Sequence, residues 1–106
     1  MTDKELLELA AKTAGIEIEW YAPNVEVWDF AQVPNWNPLT NDGDALRLAV
    51  QLKMDVCVDD NVESGTHVIW MTDNCIDDVY EYHGSDSYAA TRRAIVRAAA
   101  EIGKAL

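Results

Sequence analysis

Thr66-His67-Val68-Ile69-Trp70-Met71-Thr72 decides the fold of this chain. In an extended strand successive side chains point to opposite faces. Val68 and Trp70 therefore face one way and Ile69 and Met71 the other, and both faces are apolar. A strand of this kind is expected to be buried on both sides, with helices above and below its sheet. Two shorter strands are expected beside it, Val56–Asp59 and Val79–Tyr82. Residues 60–65 and 73–78 then read as connecting loops.

Working outward, the period changes from two to that of a helix. Towards the C-terminus, Ser85 or Asp86 can cap a helix running to about Ile102, with Ile95, Ala98, Ala99 and Ile102 as its core stripe. Its alanines permit close approach to a sheet, and Gly103 reads as its stop. Towards the N-terminus, Ala45, Leu48, Ala49 and Leu52 form the stripe of a helix capped by Thr40 or Asn41 and ending near Met54. Asp42 and Asp44 lie in its first turn, where the macrodipole favours acids. Earlier still, Ile16, Ile18 and Trp20 alternate with Glu17, Glu19 and Tyr21. A second strand, Val25–Phe30, follows the turn Ala22-Pro23-Asn24, so the two form a hairpin. The chain opens with Thr2 and Glu5 in a capping-box pattern, then Leu6, Leu9, Ala10 and Thr13 at helical spacing, then Gly15.

The order is α-β-β-α-β-β-β-α, and short strand connections imply mainly antiparallel pairing. The expected fold class is α+β, with the sheet layered between helices as an α-β-α sandwich. A chain of 106 residues with 49% hydrophobic residues builds one modest core. Residues 1–106 are read as a single domain, with no repeat or linker.

Charge is sorted by position. From Met54 to Asp86 there are nine acids (Asp55, Asp59, Asp60, Glu63, Asp73, Asp77, Asp78, Glu81 and Asp86) and no Lys or Arg. The segment from Ser87 onward carries Arg92, Arg93, Arg97 and Lys104 against Glu101, within a net charge of −11. Such a field repels nucleic acid and membrane surfaces and attracts basic partners. Direct nucleic-acid binding is excluded for want of a basic footprint. No apolar run approaches membrane-spanning length, and the N-terminus lacks the basic region of a secretory signal. Two cysteines in such a chain read as reduced thiols. A soluble cytoplasmic protein is the expectation.

Catalytic and metal motifs are weak. Cys57, His67, Cys75 and His83 match a zinc site in number, but no Cys-x-x-Cys or His-x3-5-His pair exists. Asp73, Asp77 and Asp78 lack the glycine and the twelfth-position glutamate of a calcium loop. His83-Gly84-Ser85-Asp86-Ser87 is explained by a turn and a helix cap, since a catalytic triad is a spatial arrangement. No phosphate-binding glycine pattern is present. No metal, cofactor or enzymatic activity is expected.

Two binding surfaces remain. Carboxylates on strands and loops (Asp59, Asp60, Glu63, Asp77 and Asp78) can present a phosphate-like charge pattern to a basic protein. The bland account is a solvated surface. Trp36, Asn37 and the Arg92/Arg93/Arg97 strip can form an anion or small-molecule site at a helix N-terminus. Against it, Asp42 and Asp44 oppose an anion. Asn37-Pro38 can equally be a rigid turn, Trp36 a core plug, and the arginines internally paired, Arg97 with Glu101 among them.

Trp36-Asn37-Pro38-Leu39-Thr40-Asn41-Asp42-Gly43-Asp44-Ala45-Leu46, continued through Val50, resembles the central signature of the phage ABA sandwich domain family. Ala89 to Gly103 resembles that family's second marker, and the opening Asp3–Gly15 helix fits as well. The resemblance implies an α-β-α layered fold and a phage or prophage origin, hence a bacterial host cytoplasm. It implies no activity and no catalytic residues.

The expectation for function is a non-enzymatic phage accessory protein that binds a host or phage protein through its acidic surface. A basic nucleic-acid-binding host protein, met by DNA mimicry, is the sharpest form. The alternatives are a small-molecule or anion-binding module and a structural homo-oligomer.

Overall fold

A computed structural model describes residues 1–16, 19–22, 25–29, 36–59, 64–73 and 75–106. The elements are α1 (Asp3–Ala14), β1 (Glu19–Ala22), β2 (Val25–Asp29), α2 (Asp42–Gln51), β3 (Asp55–Asp59), β4 (Gly65–Thr72), β5 (Cys75–Tyr82) and α3 (Ser87–Lys104). The class is α+β, in the expected order, and every described strand pairing is antiparallel. The expected turn at Pro23-Asn24, the end of β2 at Phe30, and Glu17 and Ile18 lie outside the described residues.

Local chemistry sets the helix ends. Thr2 caps α1, its side chain accepting from the Glu5 N–H, and Gly15 closes it at φ 74°, a conformation glycine adopts without Cβ strain. Asn41, rather than Thr40, caps α2 by accepting from the Asp44 N–H. Helix α2 ends at Gln51, three residues short of Met54, and Met54 N–H bonds back to the Ala49 carbonyl. Asp86 caps α3, accepting from Tyr88 and Ala89 N–H.

Helix α3 is the hub. One side lies on β4 and β5, and α1 and α2 pack on its other sides. A helix enclosed on several sides needs apolar residues around much of its circumference. Ala94, Val96, Ala98 and Ala99 are fully buried, with Ala90, Ile95 and Ala100 nearly so. Gly103 does not end this helix. It lies inside it, buried against α1, and the helix continues to Lys104.

The sheet order is β3-β4-β5. Register aligns Val56 with Val68 and Val68 with Val79, so these valines share the helix-covered face with Thr66 and Trp70. Asp55, Cys57, Asp59, His67, Ile69, Met71, Ile76, Asp78, Tyr80 and Tyr82 share the opposite face. The apolar character of β4 on both sides does not produce burial on both. Met71 is 72% exposed and Ile69 only partly buried, whereas Val68 is fully buried.

Strand β5 starts at Cys75, four residues before the expected Val79. Asp77 and Asp78 are therefore strand residues, not loop residues. Thr72 pairs with Cys75, and Asp73, which follows β4, takes φ 44°. Aspartate tolerates this left-handed conformation, as two-residue hairpin turns require.

Candidate functional site

The face of the sheet away from α3 carries the most distinctive constellation. Gly65 has no side chain, and the Tyr80 ring lies over it: a Cβ at Gly65 would overlap that ring. Tyr80 meets Tyr82 edge-on, with ring centroids 5.1 Å apart and planes at 75°. His67 stands opposite Tyr80 in register, and its Nε2 lies 2.6 Å from Asp78 Oδ2 on the diagonal. Further along, Met71 pairs with Ile76, which is 71% exposed, and Tyr82 is 68% exposed. Apolar and aromatic side chains thus form a strip along β4 and β5, interrupted by Asp78 between Ile76 and Tyr80 and edged by Asp55 and Asp59 on β3.

This geometry sorts the acidic candidates. Asp59 and Asp78 share the exposed face. Asp77 is paired with Trp70 and belongs to the helix-covered face, at its exposed end. Asp60 and Glu63 lie outside the described residues. Glu81 is drawn inward, where its carboxylate takes the Arg97 guanidinium.

The anion candidates are engaged within the fold. Trp36 is 5% exposed and sits in the core. Asn37 builds the turn: its Oδ1 accepts from Leu39 N–H, and its carbonyl accepts from Thr40 and Asn41 N–H. Asn37 N–H donates to Asp44 Oδ2 at 2.9 Å, so a carboxylate of the chain itself occupies the place an anion would take. Arg92 donates to the Leu39 carbonyl and to Asp42, 2.9 and 2.7 Å away. Arg93 reaches Asp3 at 2.9 Å. Arg97 pairs with Glu81, not with Glu101, while Glu101 takes Lys104. Arg92 alone of the three arginines bonds to the Trp36–Asp44 segment among the described contacts.

The other chemistry-bearing residues are dispersed. His83 is buried and faces α3, where its Nε2 lies 2.9 Å from Thr66 Oγ1. Thr66 Oγ1 is 2.7 Å from Thr91 Oγ1, which donates to the Ser87 carbonyl. That carbonyl can only accept, so Thr66 donates to Thr91, and His83 donates to Thr66 through its Nε2–H. Cys57 and Cys75 are exposed free thiols on different strands, with β4 between them. Among the described residues no group of three His, Cys, Asp or Glu is arranged to hold a metal ion. No described helix is long and apolar enough to cross a membrane.

The acidic residues were visible in the sequence, but the aromatic strip was not. Its signal was present: an Asp73-Asn74 turn followed by Ile76, Asp78, Tyr80 and Tyr82 at period two. No protein-family model, curated protein or solved structure matches this chain.

Proposed function

We propose that this chain is a non-enzymatic accessory protein that captures a basic protein on the exposed face of the β3-β4-β5 sheet. The observation that carries this is the combination of exposed Met71, Ile76 and Tyr82 with Asp55 and Asp59 at the margin and Asp78 among them. Contiguous exposed apolar area rimmed by polar groups marks protein-binding surfaces. Tyrosine and methionine are enriched at such interfaces. The net charge of −11 speeds encounter with a basic partner and repels acidic ones.

A nucleic-acid-binding host protein fits this chemistry, since its own surface is basic. The apolar centre adds something a pure imitation of a phosphate backbone lacks, namely desolvated contact area. Phage origin, drawn from the resemblance of residues 36–50 and 89–103, supplies the context of a bacterial host cytoplasm.

The test is affinity capture from bacterial lysate at low and high salt, with wild type beside two variants. These are Asp59→Lys with Asp78→Lys, and Tyr82→Ser. One stoichiometric basic partner should be held by wild type, released by salt and lost in both variants. Equal capture by the variants, or no partner for wild type in either condition, overturns the proposal.

A further inference from the structure

We infer that the edge of β3 is a second docking element, which accepts an extended basic segment of a partner as an added strand. The inference rests on the proposed role as a binder of basic proteins and specifies how part of that partner is held.

Among the described residues β3 pairs on one side only, with β4, and all five of its residues are exposed. An edge strand presents unpaired N–H and C=O groups outward, and extended peptides add to such edges. Beside this edge, on the helix side of the sheet, lies an apolar groove of about 520 Å3 between α2, β3 and α3. Leu46, Ala49, Val56, Val58, Tyr88 and Ile95 line it. Leu46, Val58 and Tyr88 are 63%, 56% and 72% exposed. A strand added to β3 would lay alternate side chains over this groove, covering residues that otherwise meet water.

Register determines what the added strand must carry. Val56 and Val58 face the groove, while Asp55, Cys57 and Asp59 face the other way. Cross-strand neighbours of like charge are destabilising and those of opposite charge stabilising. The segment that fits has apolar residues at two alternate positions and Lys or Arg at the flanking positions, opposite Asp55 and Asp59. Five residues suffice, about 17 Å of strand. A second copy's β3, paired antiparallel about Cys57, would set aspartate against aspartate at both ends. Charge thus favours a basic segment over self-pairing.

The experiment uses the isotopically labelled full chain and a synthetic pentapeptide with lysine at its ends and valine at positions two and four. Binding should shift the amide resonances of Asp55–Asp59 and slow their hydrogen exchange. Glutamate in place of both lysines should weaken binding at least tenfold. Asp55→Lys with Asp59→Lys should reverse that preference, and Leu46→Lys should weaken binding of the lysine peptide. Unchanged β3 amides at millimolar peptide overturn the inference. So do shifts confined to Tyr80, Tyr82 and Ile76. A concentration-dependent dimer with protected β3 amides and no peptide would assign the edge to a second copy and likewise overturn it. Loss of lysate capture in wild type defeats the broader proposal. Intact capture with silent β3 amides defeats this one alone.

Discussion

Gly103 of α3 lies against the backbone of Leu9 in α1, so close that a Cβ on Gly103 would stand 2.5 Å from the Leu9 carbonyl oxygen. The same atom would be 2.7 Å from Thr13 Oγ1, which itself bonds to the carbonyls of Leu9 and Ala99. Close helix contact at this point therefore requires glycine. Gly103→Ala is expected to push α1 and α3 apart and destabilise the fold by about 1–3 kcal/mol, the usual range for overpacking. Urea denaturation checks this, and an unchanged midpoint would refute it.

The buried chain from His83 through Thr66 and Thr91 to the Ser87 carbonyl ties β4 and the end of β5 to the first turn of α3. Thr66→Val keeps the volume but leaves the His83 Nε2–H without its acceptor. The expected cost is about 1–3 kcal/mol, the range for an orphaned buried donor. Thr66→Ser retains the hydroxyl and should lose appreciably less. Thermal unfolding of the two variants side by side tests the chain, and a loss in Thr66→Val no greater than that in Thr66→Ser would show that the hydroxyl chain does not hold these elements together.

Caps and periodicity made much of the fold legible. Thr2, Gly15, Asn41 and Asp86 act through short-range geometry, which sequence spacing encodes directly. Gly103 is the counterexample. The same residue type that stops a helix also permits two helices to touch, and only the partner helix distinguishes these roles. Asp77 and Asp78 misled in another way. Aspartate is depleted in strands, so the pair reads as loop, yet pairing with Trp70 and Ile69 holds both in β5. The second face of β4 failed for a third reason. Alternation tells which residues share a face, but whether anything covers that face depends on where the helices settle. The acidic candidates were therefore countable in sequence while their division between two faces was not.

Asp44 offers a contrast between a buried bond and a surface one. Its side chain is 9% exposed, and its carboxylate receives both Asn37 N–H and the Arg47 guanidinium. Arg47 itself has a side chain 73% exposed. Asp44→Ala strips the Asn37 N–H of its acceptor and should cost about 1–3 kcal/mol. Arg47→Ala removes only a solvent-screened pair and should cost less than about 1 kcal/mol. Chemical denaturation of both variants decides it. Comparable losses would mean that the ion pair, not the turn, matters.

Gly65 and Tyr80 allow the exposed face to be altered without unfolding the protein. A Cβ at Gly65 meets the far end of a movable ring, not backbone. Gly65→Ala is therefore expected to swing the Tyr80 ring aside at a cost of about 1 kcal/mol, the low end for overpacking. The near-ultraviolet circular dichroism of the tyrosines should change, and partner capture should fall. Intact capture with a displaced ring would remove Tyr80 from the proposed surface.

Asp77 and Asp78 are adjacent in sequence and opposite in direction, which separates a directional surface from a general field. Each reversal to lysine changes the net charge equally, so long-range attraction of a basic partner falls equally in both. Only Asp78 lies within the strip of Met71, Ile76 and Tyr82. Its reversal also frees His67 Nε2 from its carboxylate partner and places a cation among the apolar side chains. Asp78→Lys should weaken capture of the basic partner roughly tenfold more than Asp77→Lys, or about 1.4 kcal/mol. Titration of the two variants against the captured partner at one ionic strength measures the difference. Equal losses would make the acidity a diffuse field with no preferred face, and the aromatic strip would then have no part in binding.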